Sequence, residues 1–412
     1  MKKRYILLLL VVIIQIFLSG CWDYIEYEQL AHIIAVGVDF SKDTGDYTVS
    51  IQHIPAMKPN NAGEGGSKSS PNQVGLVHAA TDKTFYGCLA KLQEVVPLKL
   101  FYGYQKIMIV SEEAAEYKMA DILDLHDRSP LPRNAVNLVI VSGKAKNTLA
   151  TIDTDSSISS SQEIFDLIKL SPSSNASYPI TVQDFLAMLS IGGLEATAPY
   201  ITTTTKNNES PEAKGGRTGS SELDIQREGD EIITATAVFK GDKFIGLLNN
   251  KENLGYGWIT GKKITPYKTS LVSENTDNVL YYHIGKPKSK IKVKIIDGKP
   301  AIYVSVNAVG NLTKYYGGKG SEFLSPDQIK IAEEKLSESI REDISAALAK
   351  AQKEYNSDIF GFGFALFRKS PKLWQNEYEK KWDDTFPGIS VNVSVKAKII
   401  NTGTNIRKFD IK

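Results

Sequence analysis

The chain has 412 residues, with 49 Lys+Arg against 47 Asp+Glu, 42% hydrophobic residues and 23% charged ones. That length predicts two or three domains, each able to bury a core, and the composition excludes a disordered, collagen-like or multi-span membrane protein. A formal charge of +2 gives no global reason for nucleic-acid binding, and two cysteines make neither a disulfide framework nor a structural zinc site unaided.

The N-terminus reads as an address. Lys2, Lys3 and Arg4 precede an apolar run from Tyr5 to Phe17 that only Gln15 interrupts. The run is shorter than the roughly 20 residues that span a bilayer and suits the apolar segment of a secretory leader. It ends in Leu18-Ser19-Gly20-Cys21, which resembles the bacterial lipobox. On that reading residues 1–20 are a lipoprotein signal peptide, and Cys21 becomes an S-diacylglycerol, N-acyl cysteine at the head of the mature chain. The competing reading is an uncleaved anchor helix with an incidental cysteine. Two acyl chains hold a protein stably where one does not. Losing Lys2, Lys3 and Arg4 leaves 46 basic against 47 acidic side chains. A body so near neutrality has little net attraction to an anionic membrane, which leaves lipid and partner proteins to hold it there.

Residues 21–201 alternate strand-like and helix-like segments, an N-terminal α/β region with room for two domains. Ile33–Val38 and Tyr47–Ile54 read as a hairpin across Ser41–Gly45. The low-complexity stretch Lys58–Gln73 reads as a loop. A strand at Val74–Ala79, a helix at Thr81–Val96 and a strand at Lys106–Val110 follow it. Next come a helix at Glu112–Leu125, a strand at Val136–Val141, helices at Gln162–Leu170 and Thr181–Ser190, and a strand at Glu195–Thr202. Within Thr81–Val96 the helical spacing of Phe85, Cys88, Leu89, Leu92 and Val96 predicts a buried structural thiol at Cys88.

Thr202–Glu222 is rich in Thr, Gly, Ser and Asn, and 202–228 reads as a flexible linker between halves. Residues 229–412 read as a C-terminal α+β domain. Ile232–Phe239 and Lys243–Leu248 form one hairpin, and Ser289–Ile296 with Ala301–Val309 another, across Asp297-Gly298. In the second hairpin Ile291, Val293 and Ile295 alternate with Lys292 and Lys294, so the lysines share a face. Ser325-Pro326-Asp327-Gln328 is a capping box with Pro at the first helical position. It opens a long amphipathic helix whose stripe runs from Ile329 through Ala332, Leu336, Ile340, Ile344, Leu348 and Ala351 to Tyr355. A last helix around Leu373–Trp382, with Trp374 and Trp382 as core residues, precedes an alternating strand at Ile389–Ile399. The whole predicts a multi-domain α+β fold of mixed β-sheets flanked by helices.

Motifs that carry chemistry are sparse. His32, His53, His78, His126 and His283 are scattered, without H-E-x-x-H or any metal-ligand pairing. The sequence has no G-x-S-x-G elbow, no P-loop spacing and no dinucleotide fingerprint, which leaves no catalytic, metal or cofactor-binding residue to name.

Four segments in order resemble the Ger(x)C family, the lipoprotein C subunits of nutrient germinant receptors in spore-forming Gram-positive bacteria. They are Gly20-Cys21-Trp22-Asp23, Ala35-Val36-Gly37-Val38-Asp39, Ala237–Gly246 (AVFKGDKFIG), and Ser357-Asp358-Ile359-Phe360-Gly361-Phe362-Gly363. The last continues through Pro371–Trp374 and Trp382–Pro387 to Gly403; Phe364-Ala365 departs from the acidic residue that members often carry there. The resemblance implies a non-enzymatic subunit, anchored by lipid on the extracytoplasmic face of the spore inner membrane beside membrane-spanning A and B subunits. That complex responds to a small nutrient, with no nucleic acid involved. A solute-binding lipoprotein of a nutrient importer shares the anchor and the α/β halves, and 19 tyrosines leave an aromatic-lined ligand cleft open.

Overall fold

The computed structural model describes residues 4–6, 25–54, 75–128, 135–150, 159–203, 231–262, 267–271, 279–284, 287–316 and 326–401. Cys21, the Lys58–Gln73 stretch, Ser325, Gly403 and all of the expected linker beyond Thr203 lie outside them. The chain is α+β, with mixed sheets and helices.

The first sheet has nine strands: β1 (Leu30–Ser41), β2 (Asp46–Ile54), β3 (Leu76–Asp82), β4 (Lys99–Phe101), β5 (Ile107–Ser111), β6 (Asn137–Val141), β7 (Thr197–Thr203), β8 (Glu231–Lys240) and β9 (Lys243–Leu248). Their order is β3-β2-β1-β5-β6-β7-β8-β9, with the short β4 also on β1. The central β1, β5, β6 and β7 run parallel, and antiparallel pairs flank them on both sides. The central strands β5 and β6 are apolar over Ile107–Val110 and Leu138–Val141 because both faces are covered. Met108 and Val110 of β5 point into one core, with Cys88, Leu92, Ile122 and Phe185 from three helices. Ile107 and Ile109 point into the other, with Leu149, Ile164 and Ile168. Cys88 is buried as its spacing predicts, and its thiol donates to Tyr47 O at 3.3 Å. The helix expected over Glu112–Leu125 is two, Glu112–Tyr117 and Met119–Arg128, because Lys118 (φ −138°, ψ 14°) leaves the helical region.

The division expected at 202–228 does not separate the sheets. β7 pairs antiparallel with β8, Thr203 opposite Glu231, so the segment between them joins two neighbours of one sheet. β8 and β9, expected to open the C-terminal domain, complete the first sheet instead, because Phe239 and Ala237 bury in its core beside Phe185.

The second sheet has five strands: β10 (Tyr267–Leu271), β11 (Val279–Ile284), β12 (Lys288–Ile296), β13 (Lys299–Tyr316) and β14 (Val391–Asn401). β13 is its spine. β11 and β12 pair antiparallel along successive stretches of β13, and β14 lies parallel to it. The long helix, Pro326–Ala349 with a wider turn of π type over Lys350–Tyr355, covers one face. Its expected stripe holds: Ala332, Leu336, Ile340, Ile344 and Ala351 are buried in one cluster with Ile302, Val304, Val306 and Ala397. Helix side chains also seal an edge. Ser337 Oγ accepts from Ala397 N at 3.0 Å and Glu333 Oε1 from Ile399 N at 2.8 Å, which occupies donors of β14 that an open strand would present to another chain. Helix Asn250–Thr260, opened by an Asn249–Glu252 capping box, packs on the long helix.

Candidate functional site at the junction of the sheets

Two of the segments that carry the family resemblance, Ala237–Gly246 and Ser357–Gly363, meet where the two sheets join. The π-type turn ends at Asn356 in the left-handed region (φ 47°), and the chain enters Ser357–Gly363 as it passes the β8–β9 hairpin. Ser357 Oγ donates to Phe239 O at 2.7 Å and Lys240 Nζ to Asn356 O at 2.7 Å. On the other side lies the loop between helix Val182–Ser190 and β7, where Glu195 N donates to Asp358 O at 3.0 Å and Phe364 N to Gly193 O at 3.0 Å. Tyr355 Oη reaches back to β9, accepting from Leu247 N and donating to Leu247 O at 3.0 and 2.9 Å. Side-chain and backbone bonds therefore tie both sheets at one point.

Asp358 lies at the centre. It is 2% exposed, and its carboxylate accepts from Phe362 N (3.1 Å), Gly363 N (2.8 Å) and Trp382 Nε1 (3.0 Å). Burial pushes its carboxyl up to about 6, and these donors limit the rise. Gly361 (φ +74°) precedes the helix Phe362–Lys369 in a conformation that favours glycine, which aims the first helical N–H groups at Asp358. Gly193 and Gly363 bring two backbones together. A Cβ on Gly193 would stand 2.6 Å from Gly363 Cα and 2.6 Å from Trp374 Cη2. Trp374 and Trp382 are not on one continuous helix as expected. A break after Tyr378 folds the second back, so that the rings meet at 5.4 Å, and both are buried as the core residues expected.

Beside Asp358 is a cleft of about 110 Å³ lined by Glu195, Lys240, Trp382 and Asp383. Lys240 pairs with Asp383 and, at 3.8 Å, with Glu195; Gly241 N donates to Glu195 Oε2 at 2.7 Å. Burial raises the Glu195 carboxyl, while Gly241 N–H and Lys240 hold it back. The other motif carboxylate, Asp39, is 3% exposed and accepts from Ala145 N (2.7 Å) and Lys146 N (3.0 Å), the opening of helix Ala145–Ala150. Burial raises its carboxyl too, against those two bonds. The cleft beside it measures about 230 Å³. Both volumes fall short of the roughly 300 Å³ at which metabolite pockets begin. Chemically, each carboxylate is consumed in holding backbone N–H groups.

Among the described residues no three His, Cys, Asp or Glu side chains group closely enough for a metal ion. His53 is buried, stacked on His78 at 5.3 Å, and burial lowers its pKa. Cys21, the one residue expected to be modified, lies outside the described residues. Gly193 and Glu195 escaped sequence reasoning; the Gly192-Gly193 pair ahead of a strand was the available signal.

Residues 23–203 match the family model for the spore germination protein N-terminal domain, and residues 234–403 match that for the C-terminal domain of spore germination B3/GerAC-like proteins. The chain belongs to the Ger(x)C family. Spore germination protein KC of Bacillus subtilis (strain 168) is 22% identical over 98% of this chain and 97% of the relative. YndF of the same organism is 24% identical over 98% of each chain, and spore germination protein B3 is 22% identical over 94% and 95%. The crystal structure of the GerBC protein covers 91% of this Ger(x)C chain at a TM-score of 0.55 and 16% identity, a likeness of fold. The junction described above thus joins segments from both family domains: Gly193 and Glu195 from the first, Lys240, Asp358 and Trp382 from the second.

Proposed function

We propose that this chain is the lipid-anchored C subunit of a spore nutrient germinant receptor. It works without catalysis, beside membrane-spanning A and B subunits on the extracytoplasmic face. The observation that carries the proposal is the match to both Ger(x)C domains behind a lipobox at Leu18–Cys21. Residues 1–20 are removed and Cys21 carries the diacylglycerol and N-acyl groups. The small clefts at Asp358 and Asp39 support a subunit that holds position and relays contacts over one that encloses a nutrient, as an importer's solute-binding protein does.

Cys21→Ala tests the anchor. In sporulating cells the variant is expected to keep its circular dichroism spectrum and melting temperature and to leave the membrane fraction in a 1 M salt wash, which screens surface charge. Full retention in that fraction would mean that lipid is not what anchors the chain. Thermal shift across amino acids and sugars addresses the ligand: no nutrient should raise the melting temperature, and a specific rise of several degrees would instead identify a solute binder.

A further inference from the structure

The outer face of the second sheet, opposite the long helix, carries six lysines: Lys288, Lys290, Lys292 and Lys294 on β12, Lys396 and Lys398 on β14. All six are exposed. Register places them on one surface. Lys288 lies opposite Asn307 and Asn307 opposite Lys396; Lys290 lies opposite Ser305, and Lys292 opposite Tyr303. No outward position of β12, of β13 between Ala301 and Asn311, or of β14 is Asp or Glu. The Lys294 ammonium sits 4.4 Å from the centroid of the Tyr303 ring, so even the aromatic here serves a cation. The molecule is close to neutral overall, so this is segregated charge.

Stability alone does not account for such a face. Like charges on alternate positions and adjacent strands repel, and the exposed side of the long helix mixes Lys330, Glu334, Lys335 and Glu338 as a merely solvated surface does. A protein partner fits poorly, since interface cores are depleted of lysine and use Arg and aromatic anchors. Lysines on a flat lattice suit a surface of phosphates. Alternate residues on a strand stand about 7 Å apart and strands about 5 Å apart, so the face presents charge over an area and offers no pocket. Exposed Ile296 (47%), Val309 (46%) and Ile400 (65%) add apolar side chains on the same side.

We propose that this lysine face docks on the anionic phospholipid surface of the membrane. The proposal deepens the membrane location given above and rests on it, but it needs no acyl chain. Each lysine brought within a Debye length of such a surface raises partitioning about fivefold, so the face orients a tethered chain and holds it flat.

The test uses the full-length chain on vesicles of phosphatidylcholine alone, or of equal parts phosphatidylcholine and phosphatidylglycerol. Lysines are labelled with an amine-reactive reagent and read one by one by mass spectrometry. On anionic vesicles the six face lysines should label at least about fivefold more slowly, while exposed Lys83 and Lys369 stay unchanged. In 1 M salt, where the Debye length falls to about 3 Å, the protection should vanish. Equal labelling on both vesicle types overturns the proposal, as does protection that survives salt. Protection that appears only with membrane proteins in neutral lipid would make this a protein interface, and overturns it too. Lys290→Glu with Lys292→Glu and Lys396→Glu, three exposed changes that leave the core untouched, should abolish the difference between vesicle types. Fractionation of Cys21→Ala reports the acyl anchor separately, so the two ideas fail independently.

Discussion

Asp358 shows what a buried carboxylate costs and what it holds. The folded chain binds its proton up to about pH 6, against about 3.9 for an ordinary aspartate. The folded state therefore holds the proton more tightly than the unfolded one, so stability falls as pH rises from about 4 through 6, by about 3 kcal/mol for this group. Asp358→Asn cannot titrate. The difference in urea stability between the parent and this variant should shrink across that window, and a constant difference would place the titration elsewhere. Asp358→Ala strands three N–H groups and should lower stability at pH 5 by about 3 kcal/mol. Asp39→Ala removes the acceptor for two helix-opening N–H groups and should cost about 1–2 kcal/mol in the same measurement. Both aspartates stood out in the sequence as parts of motifs. Their roles did not, because the Asp39 donors lie 106 and 107 residues away and the Trp382 indole 24 residues from Asp358.

At the scale of elements, the contact of Gly193 with Gly363 is where two backbones of the junction touch. Gly363→Ala puts a methyl 2.6 Å from Gly193 Cα and 2.8 Å from Trp382, and backbone cannot yield as a flexible side chain does. A loss of about 3 kcal/mol is expected by denaturant unfolding. Gly388→Ala meets nothing within 4 Å and serves as the control, with a change within about 0.5 kcal/mol. Sequence reasoning found the elements whose period is clean: the hairpins β1–β2, β8–β9 and β12–β13, the long helix and β14. It missed helix Asn250–Thr260, whose Gly255 and Gly257 lower helix propensity, although the Asn249–Glu252 capping box was present in the sequence. It assigned no helix to Phe362–Lys369, where two glycines stand at the start. β10 and β11 went unread because Tyr267–Leu271 and Val279–Ile284 show no alternation strong enough to stand alone.

For the whole molecule, composition pointed away from the most asymmetric feature. A net charge of +2 describes a sum, and the lysine face is a matter of placement. Part of that face was legible, since Lys292 and Lys294 alternate with Ile291 and Val293. The β14 part required knowing that this strand, more than 70 residues beyond the end of β13, returns parallel to it with Lys396 opposite Asn307. Such a crossover is set by packing of the long helix and is not encoded in either strand.

Strand order also has a consequence for anyone cutting this chain in two. The family domains meet between residues 203 and 234, yet a fragment ending at 203 lacks β8 and β9 and leaves the backbone of β7 bare along one side. That product should elute as aggregates in gel filtration. A fragment ending at Leu248 keeps the nine-stranded sheet whole, with Phe239 over Phe185, and should elute as a monomer. The complementary piece then begins at the Asn249 cap, so the unit of folding and the unit of sequence kinship in this protein are offset by about two strands.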